Sequence, residues 1–288
     1  MKRLLCFAIV TVGLVLGSLV FSPRASAITY GFIDSTNTFS NAGAFIVKDT
    51  ATGEIFPICS GTMITSKVFL TAGHCTAYFA EELAPQGFVA YVSLDSSIPF
   101  GALTSGNTNL LSAAHVVTNP TYSQKQSDAG DLGVLILTQN VNGITPATLP
   151  ACGLLDQLAD RNGLKTAVFT NVGYGIQNRV VGHGVPFFQD INPVPRMFSF
   201  SSFNALNGGY LRLSQNPSTG NGGTCFGDSG GPNFFTVDNQ QLLVSITITG
   251  DSVCRATNTV YRLDIPTAQS FFATVNDAFG TSIPVSSC

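Results

Sequence analysis

Gly227-Asp228-Ser229-Gly230-Gly231-Pro232 is the stretch on which the reading of this chain turns. A serine hydroxyl is a weak nucleophile at neutral pH unless a base takes its proton and nearby N–H groups hold the oxyanion that forms. Glycines on both sides permit a tight turn and let backbone N–H groups approach a substrate carbonyl. Read alone, the stretch fits a glycine-rich hairpin as well as it fits a nucleophile. The search for its base is short, because the chain has only 3 histidines. His74 stands in Thr71-Ala72-Gly73-His74-Cys75, directly after the apolar run Val68-Phe69-Leu70. His115 falls in an expected strand, and His183 lies between Gly182 and Gly184. Residue type alone favours none of them.

Gly227 to Gly231 also satisfies the Gly-x-Ser-x-Gly elbow of α/β-hydrolases, a fold whose acid and histidine follow the serine in the chain. Here every histidine precedes Ser229, and strands do not alternate with helices. Order alone excludes that fold. A third segment, Asp131-Leu132-Gly133-Val134-Leu135, sets a carboxylate between His74 and Ser229. With its segments in the order His, Asp, Ser, the sequence resembles the secreted chymotrypsin/trypsin-like serine proteases. Weaker matches fill the gaps: Gly173-Tyr174-Gly175 resembles a Gly-Trp-Gly turn of that family, and Asn119-Pro120-Thr121-Tyr122 the segment ahead of its aspartate. The likeness spans nearly all of residues 28–288.

The resemblance implies an all-β fold of two antiparallel six-stranded β-barrels, with the site in the cleft between them and a C-terminal α-helix. Residues 28–150 would form the first barrel, with His74 and Asp131. Residues 151–288 would supply a linker, the second barrel and the helix. By the same resemblance Ser229 attacks a peptide carbonyl, His74 takes and returns its proton, and Asp131 fixes the imidazole tautomer. Gly227 and Ser229 would offer the oxyanion-binding N–H groups. Cys59–Cys75, Cys225–Cys254 and Cys152–Cys288 would be the disulfides. Gly223 would floor the primary pocket, Gly250 leave its mouth open and Thr259 narrow it from the side. Glycine supplies no carboxylate for a buried cation, so the expected substrate side chain is uncharged rather than Lys or Arg. Arg255 keeps acidic residues as a minor alternative. Family members also pair a new N-terminus with the aspartate before the serine, here Ile28 with Asp228. The resemblance has two departures: Ile248-Thr249 stands where the family has Ser-Trp, and the chain has no Trp. A silent relative acting as a binding module is the alternative function, although all three side chains are present. Protein or peptide substrates and protein inhibitors are the implied partners of a monomer, with no cofactor.

Composition sets the surroundings. Only 10% of the 288 residues are charged, against roughly 25% in an average soluble domain. The net charge is −3, and no basic cluster of five or more residues occurs, which argues against a nucleic-acid binder. Lys2 and Arg3, the apolar run Leu4 to Phe21, and Ala25-Ser26-Ala27 read as a signal peptide over residues 1–27, with an uncleaved membrane anchor as the alternative. Cys6 falls within it; the remaining cysteines, Cys59, Cys75, Cys152, Cys225, Cys254 and Cys288, are even in number, as disulfides in an exported chain require. They allow 15 pairings. No CxxC pair or close pair of histidines suggests a metal. Short apolar or β-branched runs predict strands at 44–47, 88–92, 132–137, 166–169 and 242–248. Ala268, Phe271, Phe272, Val275 and Phe279 repeat at helical spacing between Pro266 and Gly280. The stretch from Asn140 to Lys165 reads as a linker.

Overall fold

The computed structural model describes residues 28–99, 101, 108–123, 127–176, 178–180, 187–189 and 192–288. The signal peptide read at residues 1–27, Cys6 and His183 lie outside them. Six strands close the first barrel: β1 (Ala42–Asp49), β2 (Ile55–Met63), β3 (Val68–Thr71), β4 (Phe88–Ser93), β5 (Leu111–Thr118) and β6 (Gly133–Leu137). Their order is β1-β2-β3-β6-β5-β4, and β4 returns to β1. The second barrel comprises β7 (Val168–Gly173), β8 (Met197–Leu206), β9 (Tyr210–Ser214), β10 (Pro232–Val237), β11 (Gln240–Gly250) and β12 (Thr257–Arg262). It closes as β7-β8-β9-β12-β11-β10, with β10 paired back to β7. All these pairings are antiparallel, and the strand order of the first barrel is repeated in the second. The chain therefore has the all-β architecture of two six-stranded barrels followed by a helix.

Burial explains the composition of these strands. All of β6 is buried, as are the first six residues of β1, so both read as near-continuous apolar runs rather than as alternating ones. One apolar cluster continues from Phe45, Phe69 and Leu135 in the first barrel through Phe234 and Tyr261 in the second to Phe271 and Phe272. The last two belong to α3 (Pro266–Phe279), which begins with proline, where a missing N–H costs nothing, and ends on Gly280 at φ +63°. Cys152–Cys288 ties the chain beyond α3 to the segment between the barrels.

Two expectations from the sequence shift. The run at 166–169 gives a strand displaced to Val168–Gly173. The supposed linker contains α2 (Leu154–Asp160), whose Leu155 is buried and whose first turn meets the Asp264 carboxylate through the Leu155 N–H at 2.7 Å. Seven residues are too few to display a helical repeat.

The barrels are also fastened by a fully buried cation. Arg196 Nε donates to Asp34 Oδ2 at 2.9 Å, with both side chains withdrawn from solvent. Its Nη1 donates to the carbonyls of Ala42 and Leu94, each at 3.1 Å, and to the Tyr174 hydroxyl at 3.2 Å. Nη2 reaches Asn37 Oδ1. Asp34 in turn accepts the N–H groups of Thr38 and Phe39. A buried ion pair adds little over an apolar isostere, but removing one partner strands the other charge. Arg196→Met is therefore expected to lower unfolding free energy by about 3–5 kcal/mol in urea melts; a loss below about 1 kcal/mol would mean that Asp34 is not left buried and uncompensated.

Candidate active site

His74 is delivered by a close backbone approach. β3 ends at Thr71, and the short α1 (Gly73–Tyr78) follows at once. A Cβ on Gly73 would lie 2.9 Å from both the N and the O of Leu132, so glycine lets this turn rest on the chain next to Asp131. The His74 N–H then donates to Asp131 Oδ1 at 2.8 Å, and His74 Nδ1 lies 2.9 Å from Oδ2 and 3.2 Å from Oδ1. Asp131 is thus engaged by both the backbone and the ring of one residue. The carboxylate is 9% exposed and the imidazole 33%, leaving the ring edge open to a substrate.

The turn carrying Asp131 is anchored from several directions. The Asn119 amide donates to the Gly130 carbonyl at 3.1 Å. From the second barrel, the Tyr210 hydroxyl accepts the Ala129 N–H at 2.8 Å, and the Tyr261 hydroxyl donates to Asp128 Oδ1 at 2.5 Å. From α3, Thr267 donates to Asp128 Oδ2 at 2.6 Å. Burial works against the charge of Asp128, but these hydroxyls and the Gly130 N–H outweigh it and hold its pKa below the ordinary carboxylate value.

Ser229 sits in a turn with Gly227 at φ +92° and Gly230 at φ +80°, both in the region that favours glycine. Space imposes the second glycine as well: a Cβ on Gly230 would lie 2.1 Å from Thr71 Oγ1 and 2.5 Å from the Ser60 carbonyl. The Asp228, Gly230 and Gly231 N–H groups are used within the fold, donating to Cys225, Thr247 and Asp228 carbonyls. By contrast, the Gly227 and Ser229 N–H groups have no hydrogen-bond partner among the described residues. The direction of the first is fixed. The Phe226 carbonyl accepts the Ile176 N–H at 2.7 Å, and in a planar trans peptide the Gly227 N–H must point the opposite way. The Ser60 N–H donates to the Ser229 carbonyl at 2.8 Å, and Cys75 Sγ lies 4.0 Å from the same oxygen. The serine backbone therefore abuts the residue after His74. No hydrogen bond joins the Ser229 hydroxyl to His74 in this structure, a contact that in ligand-free enzymes often forms only on substrate binding.

Three cystine bridges pair Cys59 with Cys75, Cys225 with Cys254, and Cys152 with Cys288. Cys59, His74 and Cys75 come close enough to suggest a metal cluster, but the two sulfurs are bonded to each other and cannot act as thiolate ligands.

A cavity of about 120 Å³ opens beside Ser229, walled by Thr224, Cys225, Phe226 and Thr247 to Asp251, with Cys254 closing it. Gly250 lies in this wall; Gly223 and Thr259 do not. Gly223 backs onto Gln215, whose Oε1 would be 1.9 Å from an added Cβ, and Thr259 lines the neighbouring groove with Asp131, Ile248 and Thr249. Sequence reasoning missed Thr224, Thr247 and Asp251. The Asp251 carboxylate accepts the N–H groups of Arg255, Ala256 and Thr257 and the Gln215 amide. Burial opposes its charge, but those donors hold its pKa down to about 2.

Ile28 is fully buried beside Met197, and the Thr29 carbonyl accepts the Gly223 N–H at 2.9 Å. In the continuous chain the Ile28 nitrogen is a peptide nitrogen, and it makes no bond to Asp228. The Asp228 oxygens instead take the N–H groups of Gly175 and Cys225, each at 2.8 Å. Burial pushes the Asp228 pKa up to about 7, with those two donors holding it from rising further.

The family model described as Trypsin matches residues 32–271. A comparison with curated proteins finds no match.

The raised pKa of Asp228 has a signed consequence for the continuous chain. Between the ordinary 3.8 and about 7 the native state keeps a proton that the unfolded state has released. Stability should therefore fall as pH rises through that window and level off above it. Urea melts at pH 4.5 and 7.5 test this: Asp228→Asn should flatten the difference, and an equal slope in both proteins would refute the assignment.

Proposed function

Because the chain belongs to the trypsin family of serine proteases, we propose that it is a secreted serine endopeptidase working through Ser229, His74 and Asp131. The His74–Asp131 pair carries this reading. A neutral imidazole that donates its Nδ1 proton to a carboxylate keeps Nε2 as a proton acceptor. The Ser229 oxygen bonds to the scissile carbonyl carbon while Nε2 takes the hydroxyl proton. The carbonyl oxygen becomes an oxyanion held by the Gly227 and Ser229 N–H groups. The C–N bond then breaks as His74 returns the proton to the leaving amine, and water repeats the sequence to free the acyl group. The presence of all three side chains disfavours a silent binding module.

The favoured substrate side chain is uncharged. Among the described residues Asp251 is the one carboxylate in the pocket wall, and its oxygens are already occupied by donors from its own loop and Gln215. A Lys or Arg would have to compete with them, whereas the hydroxyl and apolar groups of Thr224, Thr247 and Ile248 accept neutral groups without desolvating a charge.

Secretion is supported by the leader read at residues 1–27 and by three disulfides, which persist in oxidising compartments. No helix among the described residues is long and apolar enough to cross a membrane. Removal of the leader before Ile28 would create an ammonium close to the segment that carries Asp228, the cation that this buried carboxylate lacks. Protein inhibitors would occupy the same cleft, and the enzyme would act as a monomer.

A serine-directed organophosphate should label the secreted protein at Ser229, and Ser229→Ala should abolish both labelling and hydrolysis. Asp131→Asn should lower kcat by about 10⁴-fold by leaving the wrong tautomer at Nδ1. Activity without labelling at Ser229 would overturn the mechanism. A peptide panel should give higher kcat/KM for uncharged side chains than for Arg or Lys, and a best substrate with Arg would refute the pocket assignment. N-terminal sequencing of the secreted protein should begin at Ile28.

A further inference from the structure

We propose that Ser60 is a positioning residue for the oxyanion-binding turn, an inference that rests on reading Ser229 as the nucleophile. Ser60 belongs to β2 of the first barrel and is fully buried. Its carbonyl accepts the Thr71 hydroxyl at 2.7 Å, and its N–H holds the Ser229 carbonyl at 2.8 Å. Its own hydroxyl is used twice, accepting the Tyr174 N–H at 2.9 Å and donating to the Gly227 carbonyl at 2.9 Å. The direction of both bonds follows from the groups involved. A backbone N–H can only donate and a carbonyl only accept, so the single hydroxyl proton goes to Gly227.

The geometry gives that proton a task. Gly227 has no side chain to resist rotation about φ and ψ. The peptide plane before its Cα, which carries the Gly227 N–H, is held by the Ile176 N–H on the Phe226 carbonyl; the plane after it is held by the Ser60 hydroxyl on the Gly227 carbonyl at 2.9 Å and by the longer bond of the Asp228 N–H to the Cys225 carbonyl at 3.1 Å. The Ile176 bond orients the plane that carries the Gly227 N–H, and the Ser60 bond stiffens the far side of the same Cα; losing it leaves that side on the Asp228 bond alone and lets the Gly227 and Ser229 N–H groups drift from the convergence that the oxyanion needs. The surroundings are built to admit this hydroxyl. A Cβ on Gly173 would stand 3.1 Å from Ser60 Oγ, and one on Gly231 would stand 3.3 Å from Ser60 Cβ.

Deleting an oxyanion donor costs about 10²–10³ in kcat, and loosening one should cost less. Ser60→Ala is expected to lower kcat about tenfold while KM stays within about twofold, a division characteristic of a contact that matters in the transition state. Affinity for a peptide aldehyde, whose hemiacetal oxygen occupies the oxyanion position, should fall by a similar factor. Affinity for a non-covalent peptide competitor and the acid limb of the pH profile should stay in place. Ser60→Gly removes Cβ as well as Oγ and frees about the volume of one water, which can restore both hydrogen bonds. It should be faster than Ser60→Ala even though glycine weakens a strand. Active-site titration confines each comparison to competent molecules, and melting curves record stability separately. An unchanged kcat in Ser60→Ala, or a glycine variant that is worse in both kcat and melting temperature with aldehyde affinity intact, would reduce Ser60 to a packing residue. In either case wild-type labelling at Ser229 would leave the protease reading standing; a wild-type protein that neither labels nor hydrolyses would overturn both.

Discussion

A carboxyl group with no cation beside it among the described residues lies under the turn that carries Ser229, and much of the neighbouring sequence is explained by the need to house it. Asp228 is fully buried, and among the described residues its oxygens are met only by the N–H groups of Gly175 and Cys225. Room for the carboxylate is made by glycine. A Cβ on Gly173 would fall 2.2 Å from Oδ1, and one on Gly175 would fall 2.6 Å from Cγ. Gly173-Tyr174-Gly175 is thus a socket, with Tyr174 anchored through its hydroxyl to the Asp95 carbonyl of the first barrel at 2.7 Å. Because Gly175 is fixed by Asp228, Ile176 is fixed too, and through it the Phe226 carbonyl and the Gly227 N–H. One desolvated carboxyl group therefore helps to set the direction of a donor next to it in the chain.

The two barrels hold each other's working segments. The serine turn belongs to the second barrel, yet Ser60 and Thr71 of the first press against Gly230, and Ser60 binds the Gly227 and Ser229 carbonyls. The aspartate turn belongs to the first barrel, yet Tyr210, Tyr261 and Thr267 of the second half bind Asp128 and Ala129. Each turn thus combines restraints from its own barrel with restraints from the other. The shared apolar core and the buried Arg196 network keep the separation between barrels constant, which such reciprocal bracing requires.

What could be read from the sequence was local. The His74, Asp131 and Ser229 segments are short runs whose glycines are required by turns and close approaches, so they stand out without knowledge of the fold. The apolar spacing of α3 is likewise internal to one segment, and the helix runs Pro266–Phe279. The two-barrel fold came from the order of the segments through family resemblance, not from strand patterns: β1 and β6 are buried almost throughout and show no alternation. The repeated strand order of the barrels has no echo in the residues, because it resides in pairings between distant strands. Arg196 and Arg262 carry no local sign of burial, yet both are buried, Arg196 against Asp34 and Arg262 against Asp156 and Asp264. The pocket wall failed for a similar reason. Gly223 aligns with a floor, but Gln215 from β9's end fills the space behind it, and the loop at Asp251 folds back on its own N–H groups. Long-range packing decided each of these positions.

The Cys152–Cys288 bridge closes residues 152–288 into a covalent ring that contains the whole second barrel and α3. A single scission anywhere in that ring opens it without releasing a fragment, since both cut ends stay attached through the cystine. A chain nicked once by any peptide-bond-cleaving enzyme thus keeps all its residues, and loss of a piece needs a second cut or a reductant.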